Sequence, residues 1–160
     1  MHPIRPATPA DVSRIAEIIV FNNRLNYFPI FRDEGFSFGA VQVLPLAREY
    51  LDDPDRLRRT WVYDDGVIKG LAAVAGGEIE KLYVEPAFQN RGVGAALLEY
   101  AVNALGASWL WALEKNESAL RFYARHGFLP DGERRLEEGT PEYLLKLRYH
   151  SPSMPIDADP

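Results

Sequence analysis

At 160 residues, with 47% apolar and 26% charged residues, the chain has the make-up of one ordinary globular domain with its own core. A formal net charge of −5, with both signs interspersed, argues against the basic stripe of a nucleic-acid binder and is compatible with a cationic substrate. The absence of cysteine excludes disulfides, thiolate metal sites and a cysteine nucleophile.

Pro3 to Pro6, with Ile4 between them, reads as a short edge strand that proline limits at both ends. Thr8-Pro9-Ala10-Asp11 carries a helix start, with Thr8 as N-cap, Pro9 at N1 and an acid at N3. Val12, Ile15, Ile18, Ile19 and Asn22 then follow one face of that helix. From Asn26 to Gly39 the periodicity is lost. Tyr27, Phe28, Phe31, Phe36 and Phe38 crowd a stretch broken by Pro29, Gly35 and Gly39, which is expected to be a long loop. Its aromatics form either a satellite core or a binding wall. A second helix is expected from Leu44 or Pro45 to Leu51, closed by Asp52-Asp53-Pro54.

Arg59–Tyr63 and Val67–Ala75, joined by Asp64-Asp65-Gly66, read as a hairpin. Gly76-Gly77 makes the next turn and Glu78–Val84 the next strand. A helix carrying Val93, Leu97, Ala101, Val102 and Leu105 on one face follows, with Gly106 past its end. Ser108–Leu113 alternates as a strand, and Asn116 opens a helix with Ala119, Phe122, Tyr123 and His126 at helical spacing, closed by Gly127. Phe128–Arg135 and Glu142–Leu147 read as a final hairpin. The predicted organisation is one domain over residues 1–149, followed by a proline-rich tail, 150–160, that is disordered or packs on a neighbour. The fold class is α/β, a mixed, mostly antiparallel sheet with a parallel strand pair joined through the central helix, and helices flanking it. No apolar run approaches the ~18 residues of a membrane span and no signal-like segment opens the chain, so a cytoplasmic protein with no membrane partner is expected. His2, His126 and His150 do not cluster, and no metal is expected.

The stretch Gln89-Asn90-Arg91-Gly92-Val93-Gly94-Ala95 lies between the strand stopped by Glu85-Pro86 and the central helix. A helix start reached through glycines aims several unpartnered backbone N–H groups at one spot near a positive dipole end, which suits a phosphate or pyrophosphate. A dinucleotide fingerprint would need a third glycine where Leu97 stands, and a P-loop would need Gly-Lys-Ser/Thr, which is absent. The pattern Gln-x-x-Gly-x-Gly, filled by Gln89, Gly92 and Gly94, resembles the acetyl-CoA loop of the GNAT acetyltransferase superfamily. Two further stretches look like the same superfamily: Asn116-x-x-Ala119-x-x-Phe122-Tyr123-x-x-x-Gly127-Phe128, and Glu78-Ile79-x-x-Leu82-Tyr83-Val84-x-Pro86.

The resemblance implies a fold with the parallel pair splayed apart, acetyl-CoA as donor co-substrate, and an amine acceptor that is a small molecule or a peptide, with a homodimer left open. It implies that Gln89, Asn90, Arg91, Gly92, Val93, Gly94 and Ala95 bind the pyrophosphate through backbone N–H groups. Leu82, Tyr83 and Val84 would offer strand-edge groups to the pantetheine arm, Asn116 would touch the same arm, and Tyr123 would stand near the thioester sulfur. Asn116 also reads as a plain N-cap, and Tyr123 as a core tyrosine.

Acetyl transfer to an amine needs a proton acceptor, an oxyanion donor and help for the leaving thiolate. The N–H of Val84 is the simplest oxyanion donor and Tyr123 the group for the thiolate. Glu78 and Glu80 are the candidate proton acceptors, and regular alternation would put both on one strand face with Leu82 and Val84. An amine near ~10 and a carboxylate near ~4 make direct transfer uphill by about 6 units, ~8 kcal/mol, so such a base must be shifted or work through water. Both glutamates also read as solvated surface acids. Tyr27, Phe28 and Phe31 are the candidate acceptor-binding residues. Without cysteine, transfer is expected to be direct, in a ternary complex. A non-catalytic acyl-CoA sensor and an acyltransferase with a longer donor are the competing readings.

Overall fold

The computed structural model describes residues 3–152 and divides after Ala107 into two compact units. In the first, four strands pair antiparallel in chain order: β1 (Ile4–Pro6), β2 (Thr60–Asp64), β3 (Ile68–Ala75) and β4 (Glu78–Val84). Partners in an antiparallel ladder share a face. On one face, Val62 and Leu71 join Ile15, Ile18 and Ile19 of α1 (Val12–Asn22), Tyr50 of α3 (Val43–Asp52) and Leu57 of α4 (Pro54–Arg58) in one buried cluster. On the other, Ile4 and Ala72 pack against Val93 and Leu97 of α5 (Val93–Asn103). Gly70 lies under this helix. A Cβ there would stand 2.9 Å from both the Tyr83 carbonyl oxygen and Leu97 Cδ1, so only glycine allows the approach.

The second unit is a three-stranded antiparallel sheet in which β7 (Tyr143–Tyr149) pairs with both β5 (Trp109–Leu113) and β6 (Phe128–Leu136), with α6 (Glu117–Arg125) between β5 and β6 in sequence. The expected tail lies, from residue 153 onward, outside the described residues, as does His2.

Two segments depart from the expectation. The stretch expected as a loop is helical: a π-helical turn (Asn23–Tyr27) continues α1 into the short α2 (Phe28–Phe31), and Arg32 at φ 54° ends it before a second π turn (Gly35–Ala40). A wider turn removes the 3.6-residue spacing by which helices are recognised, so the sequence looked aperiodic. The second departure is α4. Asp52-Asp53-Pro54 does close α3, but the Asp53 carboxylate also accepts from the Arg56 N–H at 3.1 Å and Pro54 opens a new helix. Aspartate followed by proline serves equally as a stop and as a start.

Candidate functional site

After β4, a short turn (Pro86–Phe88) leads to Asn90 at φ 61° and Gly92 at φ 83°. The backbone at Gly92 is left-handed, and a Cβ placed there would meet nothing within 4 Å, so the position opens on free space. Gly92 is the N-cap of α5 and has no side chain to cap it; the first bond of the helix runs from the Ala96 N–H to the Gly92 carbonyl at 3.0 Å. The N–H groups of Val93, Gly94 and Ala95 therefore have no intrahelical acceptor and project from the positive end of an 11-residue helix. Val93 is anchored by its buried side chain, whereas Asn90, Arg91 and Gly92 are exposed. The Arg91 guanidinium lies 5.8 Å and the Lys69 ammonium 4.9 Å from the centre of the Phe88 ring, adding positive charge beside the turn.

The side chain of Gln89 has a task the motif did not suggest. Its Nε2 donates to the Val84 carbonyl at 3.2 Å and to Asn22 Oδ1 at 3.4 Å. Asn22 Nδ2 donates to the same Val84 carbonyl at 2.9 Å and to the Ile18 carbonyl at 2.9 Å. The last turn of α1, the end of β4 and the start of the loop are thus tied at one oxygen. The Glu85 N–H donates to the Lys69 carbonyl at 2.8 Å and Val84 stands opposite Gly70, so Val84 and Leu82 occupy the non-hydrogen-bonded positions of the β3–β4 ladder. Their N–H groups point away from β3.

A β-bulge corrects the expected faces of β4. Ala73 pairs with Lys81 but Val74 with Ile79, which leaves Glu80 as the extra residue. Leu82 and Val84 pack toward α5, while Tyr83 packs toward α1 and α3. Beyond the bulge the alternation is reversed, so Glu78, opposite Ala75, shares the face of Leu71, Lys81 and Tyr83. Glu78 and Glu80 are therefore not on the face of Leu82 and Val84. Glu80 is 3.2 Å from Arg59 Nε, and Lys81 is half-buried 5.9 Å from the centre of the Tyr50 ring, where burial and the cations of Arg56 and Arg59 push its ammonium below the usual lysine range.

That same face meets the aromatic segment. Tyr27 OH lies 3.3 Å from Tyr83 OH, and the Tyr27 ring packs edge-on against Tyr83 and Phe31, with centres 6.4 Å apart in each pair. Phe28 turns to Phe38 at 5.1 Å, and Arg24 lies over Phe38 at 5.3 Å. Tyr27, Phe28 and Phe31 are half-buried, whereas Phe36 and Phe38 remain 44% and 49% exposed.

In the second unit Asn116 is the N-cap of α6, with Oδ1 accepting from the Ala119 N–H at 3.4 Å. Tyr123, half-buried on α6, has its ring edge-on to Phe122 at 5.3 Å and to Phe128 at 6.1 Å. Sequence reasoning missed the role of Asn22, for which a polar residue on the apolar stripe of α1 was the available signal, and it missed the bulge at Glu80, for which there was none.

Residues 56–130 match the domain family described as acetyltransferase (GNAT) domain. An uncharacterised N-acetyltransferase of Mycobacterium tuberculosis is 38% identical over 103 residues, which is 58% of this chain and 65% of that protein. The peptidyl-lysine N-acetyltransferase YjaB of Escherichia coli is 31% identical over 81 residues, 50% of this chain and 55% of that one. The chain thus spans between about half and two thirds of the length of these relatives. The apo solution structure of YjaB superposes with a TM-score of 0.75 at 23% identity, covering 91% of this chain and 95% of that chain. The paia N-acetyltransferase of Thermoplasma acidophilum, in complex with coenzyme A, gives 0.68 at 17% identity, covering 91% and 98%. These likenesses show that the fold is theirs. Among the described residues, no helix is long and apolar enough to cross a membrane and no group of three histidine or acidic residues could hold a metal.

Proposed function

We propose that the chain is an N-acetyltransferase of the GNAT type, with acetyl-CoA as donor and a primary amine of a peptide or small molecule as acceptor. The observation that carries the reading is the first turn of α5, where three N–H groups, an uncapped Gly92 and the nearby Arg91 suit a pyrophosphate. In this reading Gln89 acts through its side chain, holding the loop to Val84, and the backbone from Asn90 to Ala95 grips the diphosphate. The outward N–H groups of Leu82 and Val84 serve the pantetheine arm, and that of Val84 receives the oxyanion. Asn116 and Tyr123 take the roles that their places in the second motif imply: contact with the arm and a proton for the sulfur.

The acceptor amine attacks the thioester carbonyl, the C–S bond breaks, and the acetyl group passes without a covalent enzyme intermediate. Tyr27, Phe28 and Phe31 form the acceptor wall beside Tyr83, with ring faces that favour a cationic group. YjaB, named for peptidyl-lysine, favours a lysine side chain among the possible acceptors. The amine proton leaves toward the face of β4 that carries Glu78, Glu80 and Lys81.

Two measurements test this function. Calorimetry should give a single coenzyme A site, and acetyl-CoA should release thiol with at least one member of a panel of polyamines, amino acids, aminoglycosides and lysine peptides. Folded protein without affinity for coenzyme A would refute the reading. Binding without turnover would favour a sensor, and faster turnover with succinyl- or longer acyl-CoA would change the donor.

A further inference from the structure

Arg14, on the first turn of α1, joins that helix to the ends of two strands at the mouth of the loop. Its Nε donates to the carbonyl of Ile68, the first residue of β3, at 3.1 Å. Its Nη1 donates to the carboxylate of Glu85, just past the end of β4, at 2.7 Å. The same Nη1 lies 2.6 Å from Glu17 Oε1, one turn further along α1. One planar guanidinium thus spans two neighbouring strand ends and is steadied from its own helix. The Arg14 and Glu85 side chains are 27% and 16% exposed, so the pair is sheltered from the screening that weakens a surface bridge.

Glu85 is where the chain leaves the sheet for the loop. Its N–H donates to the Lys69 carbonyl at 2.8 Å, and its carbonyl accepts from the Phe88 N–H at 2.9 Å. It is the N-cap of the Pro86–Phe88 turn, yet its side chain makes no bond to that turn. The carboxylate is directed instead to a helix residue 71 positions earlier in the chain. Eight residues along α1 from Arg14, roughly 12 Å, Asn22 holds the Val84 carbonyl. Past Gln89, the exposed residues Asn90, Arg91 and Gly92 run to the buried Val93. The course of that exposed stretch is therefore set at its two ends, one of which α1 grips through Arg14 and Asn22.

We infer that Arg14 is a positioning residue for the coenzyme. By holding Glu85 against β3 it fixes where the loop departs from the sheet, and so where the amides of Val93, Gly94 and Ala95 stand. It touches no reacting atom. The inference rests on the acetyltransferase reading above, in which those amides meet the diphosphate. Hydrogen bonds weaken steeply with distance and angle, so a small displacement of the loop loosens several of them at once. Without Arg14 the two strands keep their own ladder; what is lost is the constraint on the chain just beyond it.

The test compares wild type with Arg14→Met, Arg14→Lys, Glu85→Gln and the double variant Arg14→Met/Glu85→Gln. Arg14→Met should bind coenzyme A roughly tenfold more weakly by calorimetry, as expected for one charge-assisted contact, and Glu85→Gln several-fold more weakly. The KM for acetyl-CoA should rise in parallel, while kcat and the KM for a lysine peptide at saturating acetyl-CoA stay within about twofold. The double variant should bind no worse than Arg14→Met alone, because both changes break the same contact. Arg14→Lys keeps the charge without the fork that reaches Ile68 and Glu85 together, so it should not restore affinity. Additive losses, full rescue by lysine, or folded variants that bind coenzyme A as wild type does would overturn the assignment. Hydrogen exchange gives a readout without coenzyme: the Phe88 and Gln89 amides should exchange roughly tenfold faster in Arg14→Met. A merely structural pair would speed only the core amides that open with global unfolding, and unchanged rates at Phe88 and Gln89 would refute the proposal. If wild type itself fails to bind coenzyme A, the function falls and the assignment with it; if wild type binds and the variants bind equally, only the role of Arg14 falls.

Discussion

A phenol near ~10 that hands its proton to a thiolate near ~8.5 goes uphill by only ~2 kcal/mol, and even a partial, charge-assisted hydrogen bond favours the leaving sulfur. Tyr123→Phe keeps the ring that packs on Phe122 and Phe128 and removes only the hydroxyl. Steady-state kinetics should therefore show kcat reduced by roughly 10²-fold and the KM for acetyl-CoA nearly unchanged. Unaltered turnover would remove the tyrosine from the chemistry. Asn22 calls for a different experiment, since it touches no reacting atom in this reading. Asn22→Leu leaves the Val84 carbonyl with only the longer bond from Gln89 and takes away the Asn22 oxygen that holds that glutamine. Urea titration should show a loss of about 1–2 kcal/mol, with weaker coenzyme A binding by calorimetry and little change in kcat. Unchanged affinity would mean that the loop keeps its shape without the bridge. At this scale sequence reasoning found the motif residues but not their partners. Gln89 was legible as part of a loop pattern, whereas its bond to a carbonyl five residues earlier depends on a chain reversal that spacing does not encode.

Among elements, the join between β1 and α1 makes the sharpest case. Asp11 stood out in the sequence as an N3 acid, and its carboxylate does accept from the Thr8 N–H at 2.8 Å. Its other partner is the Arg5 guanidinium at 2.8 Å, which also reaches Asp64 at 2.9 Å and so fastens the edge strand, the first helix and the β2–β3 turn. Arg5 holds the Asp11 carboxyl below the usual range, more strongly than burial raises it. A depressed folded value gives stability that is present above the unfolded value near ~4 and is lost as pH falls through the folded one. Asp11→Asn should therefore cost about 2 kcal/mol at neutral pH. That is less than the 3–5 typical of a fully buried pair, because Arg5 is 38% exposed. Below pH ~4 its stability curve should converge on that of wild type, and parallel curves would show that the carboxylate charge is irrelevant. The contact with Asp64, 59 residues away, had no local trace in the sequence. The π-helical turns and the bulge at Glu80 were hidden for a related reason: each adds a residue to a regular period, and period is what sequence reading measures.

For the molecule as a whole, nearly every strand and long helix was legible, because period-two and period-3.6 patterns bounded by glycine and proline are imposed locally. What a ligand adds to the whole is a question of linkage. Formal charge is −5 and coenzyme A is itself anionic, so the protein's overall field opposes the ligand and affinity must come from donors at short range. At ~0.15 M salt the screening length is ~8 Å, which removes most of the distant repulsion and leaves the close contacts at the first turn of α5. Binding to the native state alone then raises stability by ~2.7 kcal/mol at a hundredfold excess of ligand over Kd. For a chain of this size each kcal/mol is worth about 2–4 °C, so differential scanning fluorimetry should show acetyl-CoA raising Tm by roughly 5–11 °C. Because neither carries a diphosphate, adenosine and pantetheine supplied as separate molecules should give almost none of that shift. A rise of equal size with those fragments would place the affinity outside the diphosphate grip, and no rise with acetyl-CoA would leave the amides of Val93, Gly94 and Ala95 without the partner assigned to them.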